Sequence, residues 1–394
     1  MTEKPTAAAP EQSALIAMSG GVDSSVAAWL MLRQGFRCEG VTMRLYRNAD
    51  IRLSQFRTCC SQQDIEDAAE VAFRLDFPYE VLDYTADFRQ VIDKFIRTYE
   101  QGGTPNPCID CNRLMKFDKL LRYADQKGLR FVVTGHYARI GQDPATGRYL
   151  LKKALDQSKD QSYVLSMLTQ KQLARIRFPL GEQTKAQTRA IAAELGLCNA
   201  RKRDSQDICF VPDGDYAAFM ERRTGKRYPA GDFLDPEGRV VGRHRGAVRY
   251  TTGQRKGLGL ALGTPVYVCA KDMAANTVTV GPESALYSTG LLAGEMNWIS
   301  VPSLDGPMRV RAKTRYRQPE QWATVRPEAD GLVRVTFDEP QRAVTAGQAV
   351  VLYDGDIVVG GGTICGVQSP QGSEPVLHRA QDRVRGGLAE EQTL

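Results

Sequence analysis

Two groups of residues in this 394-residue chain have types and spacing suited to covalent chemistry. One is the turn Ser19-Gly-Gly-Val-Asp-Ser-Ser25, which follows an apolar run over 14–18. Gly20 and Gly21 let a backbone approach phosphate oxygens, and Ser19, Ser24, Ser25 and the N–H groups of a helix start can donate to them. The other group is made of cysteines: Cys108 and Cys111 in Thr104-Pro-Asn-Pro-Cys-Ile-Asp-Cys-Asn112, and Cys209 in Lys202-Arg-Asp-Ser-Gln-Asp-Ile-Cys-Phe-Val211. Thiols three residues apart can share a metal or exchange disulfides, and the cations Lys202 and Arg203 would favour a thiolate at Cys209.

These groups need a scaffold to position them. The run 15–18 reads as a buried strand, and Val26, Ala27, Leu30 and Leu32 before Gly35 as one face of the helix that follows. Further strands over 39–45, 79–82 and 131–136, the last ending in a glycine turn, alternate with helices marked by Ala68, Val71, Ala72 and Leu75, and by Phe88, Val91, Ile92, Phe95, Ile96 and Tyr99. That alternation predicts an α/β, doubly wound parallel sheet. Ligands bind such a sheet at the carboxyl ends of its strands, so 19–23, Met43 and Gly135 should converge. Ser61 with Asp64, and Thr184 with Gln187, read as capping pairs of later helices, the second running to Leu195 before Gly196. Beyond Val211, Pro, Gly and short alternating runs predict a small mixed central domain, and from Leu291 a C-terminal β-barrel or sandwich. The expected division is a tail over 1–13, a catalytic domain over 14–210, a central domain over 211–288, a barrel over 289–366 and a disordered tail over 367–394.

Hydrophobic content of 42% and charged content of 25% are those of a globular protein. No apolar run approaches the roughly 20 residues of a membrane span, and 1–13 lacks the core of a secretion signal. A cytoplasmic protein with no membrane partner is expected. Nine cysteines without regular spacing argue against an extracellular disulfide framework. Cys38, Cys198, Cys269 and Cys365 read as small buried hydrophobes, and His136 as a structural residue. Cys59 and Cys60 remain open between packing and metal binding. The net charge of +6 is mild, but basic residues cluster beyond the sheet domain. Arg309, Arg311, Lys313, Arg315 and Arg317 alternate along one expected strand and would share a face, suited to RNA phosphates with Tyr316 available to stack.

The phosphate turn lacks the Lys-Ser/Thr pair of the common P-loop. It resembles instead the SGGxDS loop of the PP-loop ATP pyrophosphatases, which split ATP into AMP and pyrophosphate and use the adenylyl group to activate a carbonyl oxygen. Five more segments join it in order: the TPNPxxxCN segment, Thr134-Gly-His-Tyr-Ala138, Lys159-Asp-Gln-Ser-Tyr163, the SQDICF run and Tyr250-Thr-Thr-Gly-Gln-Arg-Lys-Gly257. Together, over roughly 14–366, they resemble the bacterial tRNA-specific 2-thiouridylases. The resemblance implies that Ala17, Met18, Ser19, Gly20, Gly21, Val22, Asp23, Ser24, Met43 and Gly135 bind ATP. It implies that Asn106, Pro107 and Cys108 surround a flipped target uridine, and that Lys159, Asp160, Gln161, Arg315 and Tyr316 touch tRNA. Cys111 would be the nucleophile and Cys209 the persulfide carrier. The implied reaction adenylates the C2 oxygen of the wobble uridine with ATP and Mg²⁺, then replaces AMP by sulfur. The implied partners are tRNAs of the Lys, Glu and Gln types and a sulfur-relay protein or cysteine desulfurase, acting on a monomer.

One residue departs from that family's pattern. Familiar members carry Asp where this chain has Cys108, and a thiol does not replace that carboxylate as a base. Cys108, Cys111 and Cys209 also resemble the three cysteines with which related tRNA thiolases hold a [4Fe-4S] cluster, one iron being open to sulfide. A zinc ion taking Cys59 or Cys60 as its fourth ligand is the plainer alternative. Two other readings of the whole chain compete: a PP-loop adenylating synthetase with a different acceptor, and a non-catalytic RNA-binding protein. The cysteine trio and the basic accessory regions speak against the first, the intact Asp23 and Ser24 against the second.

Overall fold

The computed structural model describes residues 12–46, 62–202, 204 and 208–368, and the backbone of 376–377. Its first layer is built on β1 (Ser13–Ala17), whose residues 13–16 are all but inaccessible to solvent, as befits a strand covered on both faces. It pairs in parallel with β2 (Arg37–Arg44) on one side and β4 (Phe131–Val133) on the other. With β3 (Tyr79–Asp83) and β7 (Ile176–Arg177) the sheet order is β3-β2-β1-β4-β7, all parallel.

Alternation along β1 sends Leu15 to one face and Ala14 and Ile16 to the other. Leu15 meets α3 (Thr85–Glu100), whose buried Phe88, Val91, Ile92, Phe95, Ile96 and Tyr99 recur at helical spacing. Ala14 and Ile16 meet α1 (Val22–Arg33) and α2 (Gln62–Arg74). The strand order reverses at β1, so the crevice beyond the ends of β1 and β4 is the switch point where an open α/β sheet takes its ligand.

The structure departs from the expected division next. The hairpin β5 (Arg139–Gln142) and β6 (Tyr149–Lys152) does not stay with the parallel sheet; Lys152 pairs with Ile357 in the C-terminal sheet. Short helices α6 (Ser162–Leu165) and α7 (Gln170–Ala174) lead back to β7. Then α8 (Lys185–Glu194) opens on the reciprocal Thr184–Gln187 capping box, as its sequence predicts.

The central region carries α9 (Tyr216–Thr224) and four strands, β8 (Gly231–Leu234), β9 (Val240–His244), β10 (Tyr267–Asp272) and β11 (Thr277–Gly281), around Phe233, Val268 and Val278. Beyond it, β12 (Tyr287–Trp298), β13 (Met308–Lys313), β14 (Gln321–Pro327), β15 (Val333–Arg342), β16 (Ala349–Asp354) and β17 (Ile357–Gln368) follow the order β12-β15-β14-β13-β16-β17. Pairing of β12 with β17 closes the ring, so this is a barrel rather than a sandwich.

Two expectations are corrected here. The basic strand β13 ends at Lys313, and Arg315 and Arg317 fall in the turn after it, off the shared face. The segment expected as a disordered tail from 367 begins inside β17, and β18 (Val376–Leu377) pairs back onto that strand. Among the described residues no helix is long and apolar enough to cross a membrane.

Candidate active site at the sheet switch point

The turn after β1 is held from behind. Met18 donates its N–H to Val41 O at 2.8 Å and accepts from Thr42 Oγ1 at 2.7 Å, which anchors the end of β1 on β2. Gly20 then takes φ +67°, and a Cβ there would overlap the backbone of Asp64. Gly20 O accepts from Asn199 Nδ2 at 3.1 Å and Lys202 Nζ at 3.0 Å. Ser24 and Ser25 both donate to Gly21 O, and Ser24 Oγ accepts from Ser19 N at 3.2 Å. Ser19 itself is exposed. Gly135, after β4, closes the other side: a Cβ on it would stand 2.7 Å from Asp23 C and from Ser24 N. Two strand ends thus meet through backbone alone, leaving a turn of the kind that holds nucleotide phosphates.

Lys202 was expected to favour a thiolate at Cys209. Its ammonium is instead bound by Asp64 at 2.6 Å and Asp67 at 2.5 Å, so its charge braces the phosphate turn. Two carboxylates 138 and 135 residues away, one buried and one half-buried, take the ammonium instead of a thiol seven residues away.

Asp23 is the centre of a second network. It accepts from Tyr137 OH at 3.0 Å and, with both oxygens, from Lys185 Nζ at 2.7 and 2.8 Å. Lys185 also pairs with Asp204 at 2.7 Å, and Asp204 with Lys159 at 2.9 Å and Arg189 at 3.1 Å. Burial alone would raise the Asp204 carboxyl, but hydrogen bonds from Lys185 and Lys159 hold it below the ordinary range. Burial also pushes the Tyr137 hydroxyl up, with Asp23 adding to the effect. In the sequence Thr184-Lys-Ala-Gln187 shows only a helix start, so no motif there marks Lys185 as a site residue. Its position at the first turn of a capped helix after the α/β region was the available signal.

Cys111 and Cys209 lie on the Leu15 face of the sheet, opposite the face on which Tyr137 packs. Pro107 opens the short α4 (Pro107–Asp110), which continues through a π-helical stretch, Cys111–Phe117, into α5 (Asp118–Gln126). Cys108 is exposed, Cys111 buried and Cys209 half-buried. Cys111 joins the core cluster of Leu15, Met43 and Phe210, and Ala17 and Cys209 pack against it. Asp110 pairs with Lys94 at 2.7 Å, and Asn112 Nδ2 donates to Val164 O at 3.0 Å. A cleft lined by Lys94, Asn106, Asp110 and Arg113 separates this segment from Glu295 and Thr363 of the barrel. Among the described residues no three Cys, His, Asp or Glu side chains form a group that could hold a metal ion. Cys59, Cys60, Ser61 and Arg203 lie outside the described residues. Of the cysteines expected to be buried, Cys38 is, Cys269 and Cys365 are half-buried, and Cys198 is exposed.

The residues implied as tRNA contacts divide. Lys159 is engaged by Asp204, while Asp160 accepts from Ala154 N and Ser162 Oγ. Gln161 Oε1 accepts from Tyr137 N, bringing this segment to the phosphate turn. Arg315 turns inward and donates from Nη2 to Thr252 O, Ala343 O and Thr345 Oγ1, joining the central region to the barrel. Tyr316 stays exposed, donates to Asp160 O at 3.1 Å and lies within electrostatic reach of Cys108. His136 is buried between Phe117 and Phe178 with Nδ1 2.7 Å from Thr134 Oγ1.

Three family models match in succession: a tRNA methyl transferase HUP domain over 12–213, a tRNA methyl transferase PRC-barrel domain over 217–282, and an aminomethyltransferase beta-barrel domain over 288–364. The chain is 50% identical over 356 residues to the tRNA-specific 2-thiouridylase MnmA of Acetivibrio thermocellus, covering 90% of this chain and 99% of that one. It is 46% identical over 351 residues to the enzyme of that name from Clostridioides difficile, covering 89% and 97%. A solved 4-thiouridine synthetase–RNA complex with bound ATP aligns at 20% identity and a TM-score of 0.31, over 54% of this chain and 50% of that one. With half of the aligned residues identical to such relatives across nearly their whole length, the chain belongs to the tRNA-specific 2-thiouridylase family.

Proposed function

We propose that this chain uses ATP to replace the C2 oxygen of the wobble uridine of tRNA by sulfur. The observation that carries the reading is the packing of Ala17, Met43, Cys111 and Cys209, from four separate stretches, into or against one cluster beside the phosphate turn. A uridine C2 carbonyl is a poor electrophile. Its oxygen attacks the α-phosphorus of ATP, pyrophosphate leaves, and the oxygen becomes part of a good leaving group, AMP. Residues 17–24, Met43 and Gly135 hold the nucleotide. Bound Mg²⁺ would offset charge on the departing pyrophosphate, with Asp23 as the carboxylate of the turn able to hold it. Asn106, Pro107 and Cys108 receive the base, which leaves its stack at little cost because anticodon-loop wobble nucleotides are unpaired. Tyr316 and Lys159 to Gln161 meet the RNA around it.

In the sulfur step the terminal sulfur of a Cys209 persulfide attacks C2, loses its proton and expels AMP. The Cys111 thiolate then attacks Cys209 Sγ. The S–S electron pair passes to the transferred sulfur, and a Cys111–Cys209 disulfide remains for a two-electron reductant to reopen. The substrates are tRNAs of the Lys, Glu and Gln types, and the persulfide comes from a relay protein or a cysteine desulfurase. Cys108 favours a second route, since a third thiol stands where the persulfide scheme needs a carboxylate. In that route Cys108, Cys111 and Cys209 would hold a [4Fe-4S] cluster offering one open iron to sulfide, but the three do not form a metal-binding group among the described residues, so the structure supports the persulfide route better.

The test incubates unmodified tRNA with ATP, a sulfur source and the protein, and reads 2-thiouridine by mass spectrometry beside pyrophosphate release. Cys209→Ser should abolish thiolation and retain ATP binding; a wild type that releases no pyrophosphate in response to tRNA refutes the reading. Iron content of anaerobically prepared protein, beside Cys108→Ala, separates the routes. About four irons, lost with activity in the variant, assign the cluster. Thiolation by iron-free protein assigns the persulfide.

A further inference from the structure

The persulfide route ends on a Cys111–Cys209 disulfide that a reductant must reopen, and that bond would lie largely out of a reductant's reach. Cys111 is 9% exposed and belongs to the core cluster of Leu15, Met43 and Phe210, and Cys209 packs half-buried against the same cluster. Thiol–disulfide exchange needs a thiolate to reach one sulfur of the bond, so burial slows it. Cys108, the exposed thiol of the three, has no covalent part in that route. It also stands where it can reach Cys111. Residues 107–110 form α4, Cys111 continues it with φ −60° and ψ −45°, and Cys111 N donates to both Pro107 O and Cys108 O. On such a turn Cα atoms three residues apart are about 5 Å from each other, inside the roughly 4.4–6.8 Å that a disulfide spans.

We propose that Cys108 is the resolving thiol of the sulfur-transfer cycle, the residue that frees Cys209 after each turnover and moves the disulfide to the surface. The proposal rests on the persulfide route. The Cys108 thiol gives its proton to solvent, and its thiolate attacks Cys111 Sγ. A Cys108–Cys111 bond forms, the Cys111–Cys209 bond breaks, and its electron pair leaves on Cys209 as a thiolate. Cys209 is then ready to take the next sulfur. A dithiol protein supplies the two electrons: one of its thiolates attacks the exposed Cys108 Sγ, Cys111 departs as a thiolate, and the reductant's second thiol closes its own disulfide and releases Cys108. Delivery from the neighbouring turn of one helix thus replaces an encounter between two proteins at a buried bond. Tyr316, proposed to meet RNA, lies within electrostatic reach of Cys108. Bound tRNA would therefore cover the thiol, and reduction would follow release of the thiolated product.

To test this, the full-length protein, loaded with sulfur by a cysteine desulfurase, is given ATP, Mg²⁺ and unmodified tRNA for one turnover without reductant. It is then alkylated, digested and mapped for disulfides by mass spectrometry. Wild type should hold Cys108–Cys111 with Cys209 alkylated, whereas Cys108→Ser should hold Cys111–Cys209. With thioredoxin as the dithiol reductant, reduction of the oxidised protein should be about tenfold or more slower in Cys108→Ser. Its steady-state thiolation, expressed relative to its own first turnover, should fall in step. That ratio separates a resolving role from any part Cys108 plays in seating the base. A wild type that keeps Cys111–Cys209 with Cys108 alkylated overturns the proposal, as does a Cys108→Ser protein that thioredoxin reduces as fast as wild type. Thiolation that leaves neither disulfide in either protein refutes the persulfide route itself, a different outcome from failure of Cys108 alone.

Discussion

Replacing Gly135 by Ala adds one methyl group where two backbones already touch. The new Cβ would stand 2.7 Å from Asp23 C, 2.7 Å from Ser24 N and 3.0 Å from Asp23 Cβ. Ordinary carbon contacts are about 3.5–4.0 Å, so the first turn of α1 or the end of β4 must move by about 1 Å. No flexible side chain can absorb that, because the first two atoms met are main chain. Overpacking of this kind costs about 1–3 kcal/mol. If the displacement falls on the phosphate turn, the same range corresponds to about 5- to 150-fold weaker ATP binding. The control is Gly21→Ala in the same turn, where the added carbon would meet only Ser19 Oγ, at 3.4 Å. Calorimetric ATP titration and thermal melting of both variants test the argument. The expected result is a lower melting midpoint and a raised Kd for Gly135→Ala, and a midpoint near wild type for Gly21→Ala. Wild-type affinity in Gly135→Ala would refute the claim that this contact shapes the nucleotide site.

His136 is held well below its ordinary pKa by burial, with the Lys116 charge adding to the effect. The unfolded chain therefore takes up a proton that the folded one refuses, and stability falls as pH drops below about 6.5, by up to ~1.4 kcal/mol per unit. Urea unfolding at pH 6.5 and 5.5 should show that loss reduced by about 1 kcal/mol in His136→Gln, since all other titrating groups are shared and the unfolded histidine is already half protonated at pH 6.5; equal losses would show that His136 is not buried as described. Arg315→Ala removes the donor to Thr252 O, Ala343 O and Thr345 Oγ1 and should cost about 1.5–3 kcal/mol in thermal unfolding. Tyr316→Ala should leave the melting midpoint unchanged and weaken tRNA binding in a filter assay. Gln348→Ala removes the amide that donates to Thr104 O and Pro105 O, and should slow thiolation about tenfold or more with ATP affinity intact.

The phosphate turn was legible because its scaffold is written in local periodicity. A continuous apolar run gives β1, a helical stripe gives α1, and glycines mark where backbone meets backbone. The same holds for α3, whose six apolar positions were all found buried. Periodicity reports that a side chain is buried, not which partner it finds. Lys185 and Asp23 are 162 residues apart, and nothing local distinguishes Lys185 from a solvated lysine at a helix start. Lys202 was misread for the same reason, its neighbours in sequence being weaker partners than Asp64 and Asp67. Arg315 seemed to extend an alternating basic strand, but the strand stops two residues earlier and the guanidinium meets carbonyls from two other regions. The hairpin 139–152 has ordinary strand and turn residues, and which sheet it joins is decided by an edge of the barrel more than 200 residues along the chain.

That hairpin and Arg315 bear on where the segment proposed to receive the base sits. Pro105 and Pro107 have no N–H, so residues 104–107 cannot be fixed by a backbone ladder. Their position comes from the barrel: Thr104 N donates to Ala346 O at 2.9 Å, and Gln348 Nε2 donates to Thr104 O at 2.9 Å and Pro105 O at 3.3 Å. Arg315 in turn holds the barrel loop through Ala343 O and Thr345 Oγ1. The phosphate turn is therefore fixed by the parallel sheet, whereas Thr104 and Pro105, which lead into Asn106 and Cys108, are held by the barrel. Adenylation requires the two to register to within a fraction of an ångström. Under the proposed function, an RNA bound at Tyr316 would act on the Asn106 and Cys108 side of that register. Under the proposed function this arrangement makes chemistry at the phosphate turn depend on correct seating of the RNA, because the segment leading to Cys108 is tied to the barrel at Thr104 as well as to α3 through Asp110 and Lys94.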